Sequence, residues 1–264
     1  MLLPNGHDNP KAVGWDLIGS RFWREGRKSA RPSKDDIALF CDGIRSPDQV
    51  MVIGASTLEL VGSLIELGCR PCVLDFSRTM CEELRSAVDG ADIDIRRADI
   101  TRPLRAGWAG SFGYVLSDRL INRFTADEAM AAARNMLLLL RDGGIMRTTV
   151  KIGLYPMDER MIALGRERGT LSQFYDAANR TLDFAVAGDI LDQCLLPHGD
   201  IPPDLLLSWY KSRRAEKRFD REEVLRTFED ASPAGVRVRE LTAISLPGAT
   251  AVDFIEGRVA RSGE

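Results

Sequence analysis

Short apolar runs alternate with stretches of helical period along most of the chain. The first run, Gln49–Ile53, ends in Gly54-Ala55-Ser56, and a helical pattern follows from Leu58 to Leu67, where Gly68 stops it. The second run, Pro71–Leu74, closes on Asp75. Ser77 then opens an amphipathic stretch through Met80, Leu84 and Val88 to Gly90. Runs at 92–96, 113–116 and 145–150 read as strands three, four and five. A long helix over 126–140 precedes the fifth, and Arg141-Asp-Gly-Gly144 is expected to close it, since glycine takes the left-handed conformation that ends helices. Asp220 caps a helix to Phe228. Two last strands, 236–244 and 249–255, joined by Ser245-Leu-Pro-Gly248, predict an antiparallel pair at a sheet edge. This alternation predicts an α/β fold: a doubly wound, mostly parallel seven-stranded sheet with an antiparallel C-terminal strand.

Two regions depart from that rhythm. In the N-terminal helical segment, 1–46, Trp15, Ile18, Phe22 and Trp23 recur at helical spacing, 21–31 is basic, and Ser33 caps a helix over 34–41 with Asp35 and Asp36 in its first turn. Residues 152–218 look helical, carry Pro156, Pro197, Pro202 and Pro203, and read as a cap over the substrate. The ligand-binding sheet domain then comprises 47–151 and 219–264.

Composition narrows the function classes. The chain has 264 residues, a net charge of −3 and 44% hydrophobic residues, so it can bury a full core and presents no global basic field for nucleic acid. No run of 18 apolar residues points to a membrane span, and the Met1–His7 stretch lacks the blocks of a secretion signal; a cytoplasmic protein is expected. Five scattered cysteines read as reduced thiols. Cys69 and Cys72 form a C-x-x-C without a second pair or a nearby histidine, so no metal site is expected.

The chemistry concentrates at the ends of the first three strands. A strand, a tight turn at Gly54, a helix and then Asp75, followed by Asp99 after strand three, is how a doubly wound sheet grips a nucleoside. The turn lets backbone approach the ligand, and the acid accepts hydrogen bonds from ribose hydroxyls. An adenosine cofactor is therefore expected.

Residues 49–150 resemble the core of class I S-adenosylmethionine-dependent methyltransferases. The resemblance rests on Val73-Leu-Asp-Phe-Ser77, on Asp99, on Phe112-Gly-Tyr-Val-Leu-Ser-Asp-Arg-Leu-Ile-Asn-Arg-Phe124 and on Ala132 to Gly144, with the terminal helix and two strands resembling the family's ending. It covers about two thirds of the chain and excludes 1–30 and 152–218. The resemblance implies that Gly54, Ala55 and Ser56 form the cofactor turn, that Asp75 binds the ribose and that Asp99 contacts the adenine, with Phe76 and Ile100 on its faces. Ser117 and Asp118 then stand at the reactive end, where Asp118 orients an acceptor amine or hydroxyl, with Asn122 one turn on and Tyr155 lining the pocket after strand five. The family's nitrogen-modifying asparagine-proline-proline-tyrosine type signature is absent, which disfavours nucleic-acid bases as acceptors. The first motif is eroded: Val52 stands where the family has an acid, and Ser56 and Leu58 where it has glycines. Arg24, Arg31 and Glu59 are candidates for holding the methionine end instead.

The expected activity is S-adenosylmethionine-dependent transfer, most simply of methyl to an oxygen or nitrogen of a small-molecule metabolite, leaving S-adenosylhomocysteine. Two alternatives stay open. One is use of the aminocarboxypropyl arm, by transfer or by cyclisation to azetidine-2-carboxylate with methylthioadenosine as product. The other is a non-catalytic S-adenosylmethionine-binding scaffold. His198, in a loop, is a minor candidate for a general base. A small-molecule substrate is the expected partner, with neither nucleic acid nor membrane. A homodimer, and carrier-protein docking on the basic stretch Lys211–Arg218, remain open.

Overall fold

The computed structural model describes residues 9–27, 31–105 and 107–262; parts of the expected N-terminal segment, 1–8 and 28–30, lie outside them. The sheet is built from β1 (Val50–Ile53), β2 (Cys72–Asp75), β3 (Asp94–Arg97), β4 (Phe112–Asp118), β5 (Leu140–Lys151), β9 (Val236–Ser245) and β10 (Val252–Arg261), in the order β3-β2-β1-β4-β5-β10-β9. β1 to β5 pair in parallel, and β10 runs antiparallel between β5 and β9. This is the seven-stranded arrangement the pattern predicts.

The alternation along β1 explains how both faces are covered. Met51 and Ile53 join a core with α6 (Ala126–Leu139) and α10 (Arg221–Asp230); Val50 and Val52 join the opposite core with α4 (Leu58–Glu66) and α5 (Arg78–Ala87). A strand buried on both sides reads as a continuous apolar run, which is why Val-Met-Val-Ile shows no polar alternation. The helix starts follow their capping residues. Ser77 accepts from the Met80 N–H, and Thr125 and Asp220 form reciprocal capping boxes with Glu128 and Glu223.

Three expectations need correction. Gly143 and Gly144 do not close α6, which ends at Leu139; they lie inside β5, where the register against β4 shifts between Phe112 and Tyr114. Gly143 has φ +68°, so the glycines accommodate an irregularity in a long strand. Residues 152–218 are also not wholly helical. Besides α7 (Pro156–Glu167), α8 (Asp189–Cys194) and α9 (Pro203–Arg213), they form a second sheet of β6 (Tyr175–Asp176), β7 (Thr181–Asp183) and β8 (Ala215–Lys217). Its first hairpin turns because the Asp176 carboxylate accepts from the Ala178 and Asn179 N–H groups, and Arg180 takes φ +51°. Lastly, Lys211–Arg218 is not an exposed basic helix face. The chain reverses at Arg214, and Arg213, Glu216 and Arg218 are buried. The reason is mutual satisfaction: Arg213 Nε donates to Glu216 at 2.6 Å, and Arg218 donates to Asp158 at 2.6 and 3.1 Å and to Glu216 at 3.0 Å. The docking reading loses its patch.

The N-terminal helices, α1 (Pro10–Ile18), α2 (Arg21–Arg24) and α3 (Lys34–Cys41), lie against the same side as α4 and α5. α1 packs on α9 through Trp15 and Trp209, whose ring centroids are 5.2–5.4 Å from their neighbours in a Phe22–Trp15–Trp209 cluster. Among the described residues, no helix is long and apolar enough to cross a membrane.

Candidate functional site

A cleft opens at the carboxyl ends of β1, β2, β3 and β4, where an open α/β sheet binds ligands. Gly54 leaves β1 with φ +108°, a conformation a side chain rarely adopts, and its N–H donates to the Leu74 carbonyl at 2.8 Å. The turn is held by Asp75, whose carboxylate accepts from the Ala55 N–H and the Ser77 N–H, both at 2.7 Å. Asp75 therefore ties the end of β1 to the start of α5. Burial pushes its carboxyl up to about 6, against the pull of those two N–H groups. Each carboxylate oxygen keeps a lone pair for a further donor, and the group lines the cleft.

The far wall is apolar. Phe76, Ala98, Ile100, Leu120 and Phe124 line it, with Asp99 at its rim. Asp99 accepts from its own turn, Thr101 N–H at 2.9 Å, and from Asn9 Nδ2 at 2.8 Å. That second bond brings the N-terminal segment across the cleft. Asp16 on α1 repeats the tie by accepting from Ser77 Oγ at 2.6 Å and Thr79 N–H at 3.0 Å. Asn9, Lys11, Trp15 and Phe22 thus form one side of the cleft. A desolvated carboxylate with free lone pairs, a glycine turn and an apolar slot fit an adenosine ligand.

The β4 end differs from a helix start. Arg119 takes φ +50°, and its N–H donates to Thr149 carbonyl and hydroxyl oxygens, both at 3.0 Å. A left-handed non-glycine residue costs about 1–2 kcal/mol, and such residues concentrate at functional sites. The turn sets Asp118, Arg119 and Arg123 at the cleft. Asp118 accepts from Thr149 Oγ1 and lies 3.7 Å from Arg119 Nε; burial raises its carboxyl, opposed by Arg119 and that hydroxyl.

A second cavity adjoins the first, and Arg119 and Arg123 line both. Its other walls come from the N-terminal segment (Arg27, Arg31), from β5 and the insertion (Lys151, Tyr155, His198) and from the β9–β10 connection (Gly248–Thr250). Asn122 and Tyr155 belong here rather than to the first cleft. Asn122 Oδ1 accepts from the Lys151 N–H at 3.3 Å, and the Tyr155 hydroxyl oxygen is buried with no hydrogen-bond partner among the described residues. Burial raises the Tyr155 hydroxyl despite Arg218, 4.1 Å from its ring centroid. His198 is pushed down to about 4, chiefly by burial, so it is neutral at pH 7; its Nδ1 accepts from the Arg27 N–H.

Gly54, Ser56, Asp75, Phe76, Asp99, Ile100 and Asp118 all line the first cleft. The other expected cofactor residues do not. Ala55 is fully buried and its N–H is taken by Asp75. Ser117 turns inward and bonds Thr148 Oγ1 at 2.8 Å between β4 and β5. Arg24 lies in an outer groove beside Glu82 and Glu83. Arg31 pairs with Glu59 at 3.3 Å and lines that outer groove and the second cavity, not the first cleft. The pattern did not assign Asn9, Lys11, Arg213 and Glu216 to the cleft, nor Arg119, Leu120 and Phe124, although these last three lie within the Phe112–Phe124 segment. The Cys69–Cys72 pair is two buried free thiols, and burial, with Asp94 beside it, pushes Cys72 up to about 12.

No protein-family model and no curated protein matches the chain. Solved structures do. A Rhodobacter sphaeroides protein described as a Zn-dependent alcohol dehydrogenase is 40% identical over 97% of this chain and 100% of its own, with a TM-score of 0.92. The CcbJ methyltransferase from Streptomyces caelestis is 15% identical over 95% and 99%, with a TM-score of 0.62. The Burkholderia thailandensis 1,6-didemethyltoxoflavin-N1-methyltransferase, solved with S-adenosylhomocysteine, is 13% identical over 98% and 92%, with a TM-score of 0.56. The description of the first relative does not match the residues here. Among the described residues no three His, Cys, Asp or Glu side chains are grouped to hold a metal ion, and the β1 turn lacks the second and third glycines of a nicotinamide site. The chain belongs to one family with the Rhodobacter sphaeroides protein, and its fold is that of the class I S-adenosylmethionine-dependent methyltransferases.

Proposed function

We propose that the protein transfers a methyl group from S-adenosylmethionine to an oxygen or nitrogen of a small molecule. The observation that carries this reading is a pair of cavities, a cleft at the strand ends around Gly54 and Asp75 and a second chamber, that share Arg119 and Arg123 in their linings. Asp75 holds the ribose hydroxyls, Phe76 and Ile100 face the adenine, and Arg119 and Arg123 face the carboxylate of the methionine arm. When bound, S-adenosylmethionine would supply a methyl carbon on a positive sulfur: the acceptor's lone pair would bond that carbon, the carbon–sulfur pair would stay on sulfur, and the acceptor's proton would leave through Asp118, which is hydrogen-bonded to it, to bulk solvent. The protein's part is alignment and exclusion of water. Asp118, in the first cleft beside Arg119, accepts a hydrogen bond from the acceptor's O–H or N–H and orients it. Tyr155 and Asn122 line the acceptor chamber, which residues 152–218 cap.

A second reading uses the aminocarboxypropyl arm. It rests on Val52, which is fully buried and leaves the β1 turn without an acid for the cofactor's amine. Incubation with S-adenosylmethionine and chromatography of the products separates the readings. Acceptor-dependent S-adenosylhomocysteine supports methyl transfer; methylthioadenosine without an acceptor supports the arm; tight binding without turnover leaves a scaffold.

A further inference from the structure

The second cavity has an unusual charge balance. Arg27, Arg31, Arg119, Arg123 and Lys151 line it, and Asp36 is the carboxylate on its wall. Asp36 is engaged in its own capping box with Ser33. Arg31 is matched by Glu59 and Arg119 by Asp118. Arg27, Arg123 and Lys151 form no ion pair with a carboxylate among the described residues. Lys151 Nζ instead donates to the Thr250 carbonyl at 2.6 Å. Burial, and then Arg119, lowers the Lys151 ammonium; burial, and then Arg213, lowers the Arg123 guanidinium. Lys151 and Arg119 repel one another within that chamber, and cations so placed are stabilised by an anion brought in from outside. A second observation agrees. The buried Tyr155 hydroxyl has no partner among the described residues, lies in the same chamber, and has Lys151 Nζ 5.7 Å from its ring centroid. That hydroxyl can donate to an acceptor. His198, neutral, adds no negative charge.

We infer that the second cavity is an anion site and that the acceptor carries a carboxylate or phosphate, held by Lys151 and Arg27 with Tyr155, while its nucleophilic atom faces Asp118. The word acceptor rests on the methyl-transfer reading; the anion site does not. Lys151 and Arg27 lie outside the lining of the first cleft, so the two are separable.

The test is calorimetric titration of the full chain, with and without S-adenosylhomocysteine, using benzoate, benzamide and inorganic phosphate as probes. At least one of benzoate and phosphate should bind about tenfold more tightly than benzamide, and which one does so distinguishes a carboxylate from a phosphate ligand. The preference should shrink as salt is raised. Lys151→Met and Arg27→Gln should each weaken the anion about tenfold, while S-adenosylhomocysteine affinity stays within twofold and melting confirms that both variants fold. Benzamide binding as well as benzoate and phosphate, no measurable anion binding, or a preference that survives in both variants would overturn the inference. An anion preference in a protein that does not bind S-adenosylhomocysteine would sink the transferase reading and leave the anion site standing.

Discussion

Asp75 does two jobs that chemistry rarely separates. It holds the β1 turn through two backbone N–H groups, and it faces the cleft with spare lone pairs. Asp75→Ala should therefore weaken S-adenosylhomocysteine binding by about 1.5–3 kcal/mol, the range for hydrogen bonds to a charged group. Titration calorimetry checks it, and an affinity within twofold of the parent in a folded variant removes Asp75 from the site. A pH effect follows from the same burial. The carboxyl titrates near 6 in the folded protein, above its ordinary value of 3.8. A ligand that donates to the ionised form binds best above 6 and loses affinity as pH falls through 6, releasing protons on binding there. Titrations in two buffers of different ionisation enthalpy should show that release near pH 6 and not near pH 8. For stability the sign is opposite to ordinary acid unfolding: Asp75's contribution is fully present below 3.8 and is lost as pH rises through 6. Residues of this kind were legible because the ends of parallel strands in a doubly wound sheet point at the ligand. Arg119 was not, since its left-handed turn needs the Thr149 partner on another strand. Ser117 misled for a similar reason: its hydroxyl finds Thr148 across β4 and β5.

At the scale of elements, α1 is the piece that turns an open crevice into a cleft. Its period was readable from Trp15 and Ile18, but Phe22 and Trp23 fall on α2, after a break at Gly19 with φ +49°. Where it docks was not, because the ties are side-chain bonds to distant residues: Asn9 to Asp99, Asp16 to Ser77 and Thr79, and Lys11 to Glu128. Ile18, Phe22 and Trp23 are core residues, so deleting 1–31 should cost stability as well as affinity. Point variants separate the two. Trp15 lines the cleft, whereas Val13, on the same helix, is 55% exposed. Trp15→Ala should weaken S-adenosylhomocysteine about tenfold through lost apolar burial, and Val13→Ala should change affinity less than twofold. Equal effects of the two variants on affinity per folded molecule would show that α1 plugs an edge and does not close the site. The opposite case is β6–β7–β8. Its strands are two or three residues long, too short for any period to register, and the turn chemistry of Asp176 and Asn179 was the signal available.

The whole molecule joins two cores, one on each face of the sheet, to a third inside the insertion around Met161, Phe174, Leu182, Phe184 and Leu191. Leu195 and Tyr210 pack against both the third core and one of the sheet cores, and a polar network adds to them. Arg218 donates to Asp158 on α7, to Glu216, and at 3.5 Å to the Asn122 carbonyl beside the β4 turn. The Lys217 N–H donates to the Phe124 carbonyl at 2.8 Å. The insertion is thereby fixed to the segment that carries Arg119 and Arg123. Burial alone pushes the Glu216 carboxyl up, but Arg213, Arg218 and Arg123 outweigh it and hold it well below the ordinary glutamate range. Its contribution is present above that range and lost only in acid. Such a network is poor evidence of net stability over an apolar core, yet breaking one member leaves a buried charge uncompensated. Arg218→Met should cost about 3–5 kcal/mol by that mechanism. Arg180 offers the comparison: it also bridges two acids, Asp220 and Glu223, but its side chain is 35% exposed, and Arg180→Met should cost less than about 1 kcal/mol. Denaturant unfolding of both variants measures the difference. Hydrogen exchange adds the location: in Arg218→Met, protection should fall in 152–218 and around 119–124 before it falls in β1 or β2. Equal costs for the two variants, or protection lost evenly across the sheet, would mean that the insertion is held by its apolar contacts and that the network does not couple the cap to the reactive end.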